Sequence, residues 1–357
     1  EITKSLGIAE LKPSSIEKYL KENLTDSELA SWPKTATGRL STAVPTFEEC
    51  EVAGVEPLVE YSKLKKLVSS FGDKFLDNLN PDSRFRSSLV ILGAKTGRYS
   101  CYSPNVQQIP RESAIRNMFV PEEGNVMVVC DFSQIEVRVA AELAREPAWL
   151  NSYSNGEDIY ITIAASVFKC SSESVTKDMR SFAKVVVLGT MYGMGKQKLY
   201  NALVRNGSTL SYDETCSMID TYYEKHKRYK DYRDANANFG ETNLYISTMS
   251  GLRRKLATDK TYGASLNTPV QGTSAEIMHH SLITLWKNLK VSGLLGKTKF
   301  CAIVHDEIVL EAAEDSAPHV AKVLEDSMVQ GYKAIFPNGV VTGLAEAAIG
   351  STWAEAK

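Results

Sequence analysis

The sequence is poor in the residues that build disulfide-linked or zinc-bound scaffolds. Its six cysteines are scattered, no Cys-x-x-Cys pair occurs, and the five histidines show no zinc-site spacing. Cys130 and Cys301 lie inside apolar runs of the sequence. We therefore predict buried free thiols in a reducing compartment rather than disulfides or a zinc site.

Long apolar runs, repeats and an excess of one charge are also missing. No stretch approaches the ~20 apolar residues that a membrane span requires, and no internal repeat or low-complexity segment is visible. The formal net charge of -2 does not identify a nucleic-acid binder, so any phosphate binding must come from local clusters of arginine and lysine. These absences predict an intracellular protein without a membrane association.

The composition that remains, 43% hydrophobic and 24% charged, is that of a globular chain with a large core. At roughly 100–200 residues per domain, the chain predicts two or three lobes. Residues 1–80 and 135 to about 240 are helical in pattern, while 81–134 and the last third are mixed. Short β-branched or apolar runs predict three strands, at 126–130, 299–304 and 307–311.

Two aspartates stand at the ends of these predicted strands. Asp131 follows the first run, and Asp306 lies with His305 in the tight turn of a hairpin between the other two runs. An unpaired carboxylate at a buried strand end is costly, and oxygen ligands suit Mg²⁺. Two such ions ~4 Å apart can stabilise both oxygens of an in-line displacement. Each aspartate alone is also consistent with an ordinary turn or helix cap.

A predicted helix carries a stripe that is suited to a triphosphate. Arg180, Lys184 and Leu188 are spaced i, i+4 and i+8, so they lie on one face of the helix, and Tyr192 continues the same stripe. The arginine offers a fork of donors and the lysine a point charge. The apolar end of the stripe suits a base or a sugar. An amphipathic helix with solvated cations is the alternative.

Five ordered segments carry the most specific pattern in the chain. They are Thr96-Gly97-Arg98-Tyr99-Ser100 with Pro104 through Pro110, Asp131 through Arg138, Arg180 through Gly193, Asn267 through Thr273, and Val304-His305-Asp306-Glu307. Together they resemble the motifs of family A DNA polymerases, the group that includes bacterial DNA polymerase I and many phage replicases. Five segments in order over residues 96–307 make chance agreement implausible.

The resemblance implies a catalytic set. Asp131 and Asp306 resemble the family's metal-binding aspartates, for two Mg²⁺ ions that Mn²⁺ can replace, and the backbone carbonyl of Phe132 adds a ligand. Glu307 is similar to the acid that supports this site. Arg180 and Lys184 resemble the triphosphate grip, and Lys184 is also the implied general acid for the departing pyrophosphate.

Substrate residues are implied in the same way. Glu136 and Tyr192 resemble the pair that crowds the 2′ position of the sugar and so rejects ribonucleotides, although Glu136 alone is consistent with a surface acid. The remaining implied contacts to the dNTP are Gln134, Tyr160 and Leu188. Donors at the primer–template end can test the acceptors that every correct base pair presents in the minor groove. The implied DNA contacts are Arg98, Asn105, Gln107, Arg138, Gly193, Arg253, Arg254, Asn267, Gln271 and His305.

The chain departs from the family pattern at three places. Leu188 stands where an aromatic residue is common, which predicts altered discrimination between deoxy and dideoxy substrates. Tyr160 stands where the family often has histidine, and a phenol donates one hydrogen bond but cannot become cationic. The N-terminal lobe is short for a thumb, and we expect no proofreading because no exonuclease segment is recognised.

The resemblance implies an α+β right-hand fold with an antiparallel-sheet palm, helical fingers and a short helical thumb. The expected domains are a truncated thumb at 1–80, palm at 81–134 and 266–357, and fingers at 135–265. The expected function is template-directed addition of dNTPs to a primer by a monomer that binds primer–template DNA. The alternatives are a reverse transcriptase-like or repair and translesion enzyme, or an inactive DNA-binding accessory.

Overall fold

The computed structural model describes residues 12–35, 37–43, 46–47, 56–110, 114–258 and 261–357. The contacts of the chain divide it into two compact units, Glu1–Arg86 and Ser87–Lys357. This division lies slightly beyond residue 80, where the sequence suggested the end of the first lobe.

Four described helices form the first unit: α1 (Pro13–Asn23), α2 (Asp26–Ser31), α3 (Glu56–Phe71) and α4 (Asp73–Leu76). Proline suits the first turn of α1 because its fixed φ is already helical and its missing N–H is not needed there. A reciprocal capping box between Thr25 and Glu28 opens α2. A small core holds the unit together: Ile16, Leu20, Leu24, Trp32, Leu40, Phe47 and Leu58.

Helices α3 and α4 follow each other closely but do not form one continuous helix. The helix is interrupted at Gly72, which has an extended backbone and starts α4. A Cβ at this position would lie 2.5 Å from the carbonyl oxygen of Val68. Only glycine allows the backbone to approach this closely, so the glycine fixes the break.

Nine described helices belong to the second unit: α5 (Ile135–Ala144), α6 (Pro147–Ser154), α7 (Ile159–Phe168), α8 (Lys177–Met191), α9 (Lys196–Arg205), α10 (Tyr212–Lys225), α11 (Lys227–Asn243), α12 (Thr261–Val291) and α13 (Ala317–Ile335). Its strands are β1 (Ser88–Val90), β2 (Ser100–Tyr102), β3 (Asn125–Phe132), β4 (Tyr245–Ser247), β5 (Arg253–Lys255), β6 (Thr298–Val304), β7 (Glu307–Ala313) and β8 (Ala345–Gly350). The α+β class and the predicted helical region after residue 135 are confirmed.

The central sheet has four antiparallel strands in the order β6-β7-β3-β8. All three predicted strands are present as β3, β6 and β7, each a little longer than predicted. The interior strand β7 is buried along almost its whole length, which agrees with its run of Ile308, Val309 and Leu310. Helix α13 packs against β3, β7 and β8, and α12 packs along α13. The sheet is therefore a rigid platform for residues at its strand ends.

The 31-residue helix α12 was not expected, because the sequence around Pro269 suggested mixed structure. Proline inside a helix removes one backbone hydrogen bond and usually ends or kinks the helix. Here the surrounding residues are buried, including Leu266, Val270 and Ile277, so tertiary packing outweighs the local preference.

Strand β6 lies at one edge of the sheet and contains a bulge. Its pairing with β7 shifts between Phe300 and Ala302, so Cys301 is the extra residue of the bulge. Cys301 is exposed, which corrects the expectation that it is buried, whereas Cys130 is completely buried. No disulfide links the described cysteines, at 101, 130, 170, 216 and 301. Among the described helices, none combines the length and apolar character that crossing a membrane requires.

Candidate active site

The two aspartates lie at neighbouring strand ends. Asp131 is the second-last residue of β3, and β3 pairs with β7 so that Asp131 is opposite Glu307. The β6–β7 turn consists of His305 and Asp306, and the N–H of Phe132 donates to the carbonyl of Asp306 at 3.1 Å. The predicted hairpin and the predicted convergence of Asp131 and Asp306 are therefore confirmed. Their role as metal ligands stays a prediction.

Glu307 occupies the most enclosed position near this turn, with only 1% of its surface exposed. Its carboxylate accepts from Arg116 Nη1 at 3.1 Å and from Trp353 Nε1 at 2.8 Å, and Lys357 Nζ lies 3.2 Å away. The Arg116 guanidinium also stacks over the Trp353 ring at 4.2 Å. The Glu307 charge is therefore already balanced by protein groups, which favours support of the turn over direct chemistry.

Helix α8 presents its cationic stripe beside α7. The Arg180 side chain makes a double contact with Asp158, with Nε–Oδ2 and Nη2–Oδ2 distances of 2.8 and 2.7 Å. The same carboxyl group caps α7 through its Oδ1, which accepts from the N–H of Tyr160 at 2.8 Å. Lys184 is exposed and forms no ion pair with any residue that the structure describes. The Lys184 side chain is therefore accessible to a phosphate group, and Asp158 orients the Arg180 guanidinium.

Asp158 is a site residue that the sequence reasoning missed. Its signal was present, because an aspartate directly before an apolar helical run is typical of a helix N-cap. The neighbouring Tyr160 is buried, and the Arg180 guanidinium lies 5.5 Å from its ring centroid. Burial raises the pKa of Tyr160 to about 12, so its hydroxyl remains a hydrogen-bond donor at neutral pH.

Three residues that are distant in sequence form a connected polar network. Glu136, in the first turn of α5, accepts hydrogen bonds from Arg98 through one oxygen and from the hydroxyl of Tyr192 through the other. Burial, and next the hydrogen bond to Glu136, raise the pKa of Tyr192 to about 12. The predicted pairing of Glu136 with Tyr192 is confirmed as a contact. The network fixes both side chains at the mouth of one cavity.

This first cavity has a volume of ≈ 290 Å³ and joins the helix stripe to the acidic turn. It is lined by Arg98, Gln134, Ile135, Glu136, Val137, Tyr160, Leu188, Tyr192, His305 and Asp306. Leu188 of α8 and Tyr192, directly after α8, line this cavity together with Asp306. Gln134 adopts a left-handed backbone with φ 54° and accepts a hydrogen bond from the Tyr153 hydroxyl at 3.0 Å, which holds its side chain at the wall.

The predicted contact of Arg138 with DNA is wrong. Only 4% of Arg138 is exposed, and its guanidinium stacks over the Tyr153 ring at 4.1 Å. Its nitrogens donate to the backbone carbonyls of Ser133, Thr342 and Gly343, each at 2.9 Å. Arg138 therefore links the start of α5 to the loop before β8. Its guanidinium N–H groups donate to backbone carbonyls and do not point to the surface.

A second cavity of ≈ 570 Å³ lies next to the first and shares Tyr192 with it. It is lined by Thr96, Tyr192, Arg254, Thr258, Thr261, Tyr262, Gly263, Ala264, Asn267 and Gln271. The structure thus brings together four of the predicted substrate and DNA contacts: Tyr192, Arg254, Asn267 and Gln271. Arg254 donates to Thr268 Oγ1 at 2.9 Å, while Arg253 is exposed with its guanidinium 5.1 Å from the Tyr245 ring centroid.

Gly193 is required by the close approach of two segments behind this cavity. Its φ is +76°, and a Cβ there would lie 3.2 Å from Gly263 Cα and 3.3 Å from Tyr262 Cε1. The backbone after α8 therefore packs directly on the start of α12. This contact couples the end of the helix stripe to the wall that carries Asn267 and Gln271.

Asn105 and Gln107 make hydrogen bonds within the segment that packs beside the β6–β7 hairpin. Asn105 Oδ1 accepts from the N–H of Gln107 at 3.1 Å and so caps the short 3-10 helix Val106–Gln108. Gln107 Nε2 donates to the carbonyl of Ile303 at 3.0 Å, close to His305. Their contact with DNA stays a prediction.

The oxygen donors at the acidic turn fit a hard divalent cation. Asp131 and Asp306 supply carboxylates, and the backbone next to them supplies the carbonyl of Phe132, a donor set suited to Mg²⁺ or Mn²⁺ rather than to zinc. Within the described ranges, no three His, Cys, Asp or Glu side chains cluster as a metal cage. A cation here would therefore need further oxygen ligands from water or from substrate phosphates.

Known proteins with similar sequences belong to one polymerase family. The model of the family described as DNA polymerase family A matches residues 2–355. The chain is 31% identical over 322 residues to DNA polymerase I of Aquifex aeolicus, covering 89% of this chain and 54% of that protein. It is 30% identical over 337 residues to the thermostable DNA polymerase I of Thermus aquaticus, covering 90% and 39%.

One solved structure is similar to this chain over almost its full length. It is described as the POL domain of Pol1 from M. smegmatis in complex with DNA primer-template and dNTP. The TM-score is 0.84 at 25% identity, covering 99% of this chain and 63% of that one. The chain thus spans about half or less of the length of the curated relatives quoted above.

Proposed function

The chain belongs to DNA polymerase family A, and on this premise we propose that it adds dNTPs to the 3′ end of a primer under the direction of a DNA template. One observation carries the proposal above all others. The backbone of Asp306 adjoins the strand end that carries Asp131, and Asp306 lines a cavity of ≈ 290 Å³ together with Leu188 and Tyr192 of the Arg180–Tyr192 stripe. An acidic turn and the apolar end of a helix that also carries Arg180 and Lys184 border one cavity, which suits a nucleoside triphosphate and the metal that accompanies it.

Asp131, Asp306 and the carbonyl of Phe132 are the proposed holders of two Mg²⁺ ions, or of Mn²⁺ in their place. When bound, such ions supply charge neutralisation at the attacking and departing oxygens of an in-line displacement. The strand pairing and the β6–β7 turn hold the backbones of the two aspartates next to each other. Family A polymerases generally use divalent metals, which agrees with the oxygen-only donor set.

Arg180 and Lys184 are the proposed grip on the triphosphate. Asp158 orients the Arg180 fork and lowers the conformational freedom that binding would otherwise cost. Lys184 is exposed and is the proposed general acid for the departing pyrophosphate. Positioning and charge neutralisation then supply most of the catalysis, and no covalent protein intermediate is required.

Glu136 and Tyr192 are the proposed gate against ribonucleotides. The Glu136 carboxylate is held by Arg98 on one side and by Tyr192 on the other, so it cannot easily rotate away from an extra hydroxyl. A 2′-OH would have to displace one of these charge-assisted hydrogen bonds. Leu188 and Tyr160 complete the proposed sugar and phosphate wall.

The proposed DNA contacts are the donors around Tyr192. Gln271, Asn267 and Arg254 lie in the second cavity, while His305 and Arg98 lie in the first. Amide and guanidinium donors can test the minor-groove acceptors of a base pair without reading its identity. In the proposed domain assignment, the four-stranded sheet is the palm, residues 135–265 form the fingers and the N-terminal unit is the thumb. We propose an intracellular location, where DNA and dNTPs are available, and a monomeric state.

Primer extension tests this proposal directly. Asp131→Asn and Asp306→Asn each keep the shape of the side chain and remove its charge, and we expect extension to fall by about 100- to 1000-fold or more. Gel-shift affinity for the same primer–template should change little. The exposed Asp326 provides the matched control, Asp326→Asn, with unchanged extension. Near wild-type extension by both active-site variants would refute the proposed function.

A further inference from the structure

The turn that carries Arg98 packs against a residue from a distant hairpin. This turn spans residues 94–98 and is closed by two backbone hydrogen bonds, from the Gly97 N–H to the Ala94 carbonyl at 2.9 Å and from the Ala94 N–H to the Arg98 carbonyl at 3.1 Å. Gly97 has a φ of +81°, and a Cβ there would lie 2.9 Å from Leu252 Cδ2. The Leu252 side chain therefore occupies the space that a larger residue at position 97 would need.

Leu252 belongs to the turn between β4 and β5, and hydrogen bonds hold this turn in place. The N–H of Leu252 donates to Thr248 Oγ1 at 3.0 Å, and the N–H of Thr248 donates to the Leu252 carbonyl at 3.0 Å. The Thr248 hydroxyl in turn donates to Glu276 Oε1, while Glu276 Oε2 accepts from the N–H of Ser250 at 3.2 Å. One carboxylate on α12 therefore stabilises the turn that positions Leu252.

Helix α12 contacts both turns at one place. A Cβ at Gly272 would lie 2.3 Å from Thr248 Cγ2 and 3.2 Å from the carbonyl oxygen of Thr96, so glycine lets both turns approach the helix backbone. Further along α12, the His279 ring packs edge-on against Tyr99, the residue after the 94–98 turn, with the ring centroids 4.8 Å apart. The 94–98 turn is therefore packed against both α12 and the β4–β5 turn.

Arg98 extends from this turn to the proposed gate against ribonucleotides. Its guanidinium donates to Glu136, which also accepts from the Tyr192 hydroxyl. Arg98 lines the first cavity, whereas Thr96, two residues earlier, lines the second. Because the turn is short and closed by its own hydrogen bonds, a displacement at Gly97 would change the position of the Arg98 guanidinium relative to the Glu136 carboxylate.

We propose that Leu252 is a positioning residue for sugar selection, which acts through the 94–98 turn on Arg98 and from there on Glu136. This inference rests on the proposed function, which supplies the incoming nucleotide. Within the described part of the chain, Leu252 lines neither of the two cavities, so its effect on the sugar passes through the groups that it contacts. Since 37% of its surface is exposed, a smaller side chain here should still allow the protein to fold.

The test measures kcat/KM for the insertion of ATP and of dATP opposite a template thymine. Leu252→Ala removes the methyl groups that pack over Gly97, and we expect the ratio of ATP to dATP efficiency to rise by about 3- to 10-fold. Leu252→Met conserves the side-chain volume and should keep the wild-type ratio. Met249→Ala, in the same turn and also exposed, is the matched control with an unchanged ratio.

A double variant distinguishes positioning from a general loss of structure. If Leu252 acts through Arg98 on Glu136, Leu252→Ala should not change the ratio further in a Glu136→Ala background. An unchanged ratio in Leu252→Ala, or a rise that persists undiminished in the Glu136→Ala background, would overturn the inference. An equal loss of ATP and dATP insertion would also overturn it, because a loosened fold slows both substrates alike. Failure of the wild type to extend primers would instead refute the proposed function.

Discussion

Asp131 and Glu307 are direct partners across the antiparallel pair β3–β7, yet their carboxylates have different surroundings. Glu307 is buried and balanced by Arg116, Trp353 and Lys357. Asp131 stands next to Phe132, whose N–H donates to the carbonyl of the turn residue Asp306. One strand register therefore places an acid that stabilises the sheet end directly opposite the acid that we propose as a metal ligand.

The buried pair between Glu307 and Arg116 should be essential for stability. Glu307→Gln or Arg116→Met leaves one buried charge poorly balanced, and we expect each to lower the free energy of unfolding by about 3–5 kcal/mol. The double variant should lose less than the sum, because neither charge remains alone. Urea unfolding measures the effect. The exposed pair Lys322–Asp326 is the control, and an equally large loss there would contradict this explanation.

Sugar selection should depend on Glu136. Glu136→Ala removes the carboxylate that Arg98 and Tyr192 hold, and we expect the efficiency of ATP insertion relative to dATP to rise by about 10- to 100-fold. Tyr192→Phe removes only one hydrogen bond and should produce a smaller rise. Single-nucleotide insertion kinetics give both ratios. An unchanged ratio in Glu136→Ala would show that the gate lies elsewhere.

Dideoxy discrimination should depend on Leu188, which lines the cavity with Tyr160 and Asp306. Leu188→Phe adds a ring to the sugar wall, so we expect a clear change in the ratio of dATP to ddATP insertion. Single-turnover insertion of the two substrates provides the measurement. Leu188→Met conserves the side-chain volume and should leave the ratio unchanged. Identical ratios for all three proteins would rule out this role.

Acid should destabilise the helical region through His226, which joins α10 to α11 and is 1% exposed. Its two ring nitrogens have no hydrogen-bond partner among the described residues, and burial lowers its pKa from 6.5 to about 4. The unfolded chain therefore binds more protons between these values, so stability falls as the pH falls from 6.5 towards 4. The loss approaches about 3 kcal/mol.

His226→Phe provides the test, because phenylalanine fills a similar volume and cannot take a proton. We expect the pH dependence of the unfolding free energy between pH 4 and 6.5 to become clearly flatter. The packing against Trp149 and Tyr222, with centroid distances of 5.7 and 5.2 Å, should be preserved. The exposed His319→Phe is the control. A slope that persists in His226→Phe would assign the effect to other groups.

Local sequence was sufficient for the strands and for the acidic turn. The β-branched run before Asp131 and the two runs around His305-Asp306 have the composition of buried strands, and the two-residue connection restricts the second pair to a hairpin. The stripe on α8 followed from helical spacing alone. These features depend on contacts between near neighbours in sequence, and for that reason they could be predicted.

Other features depend on contacts that no local pattern contains. Arg138 belongs to a family motif, but its donors are taken by carbonyls near Gly343, far away in sequence. The long α12 continues through Pro269 because its neighbours are buried by tertiary packing. Leu252 looks like any partly exposed leucine until Gly97 is seen beside it. Long-range partners decide the role of each of these residues.

The bulge at Cys301 has a consequence for how the length of this hairpin can change during evolution. Because the irregularity lies between Phe300 and Ala302, the pairing of Val304 with Glu307 is set independently of the distal half of β6. Gain or loss of one residue at the bulge would shift only that distal half. The distal part of the edge strand β6 can thus gain or lose residues, while the turn that carries Asp306 stays aligned with Asp131.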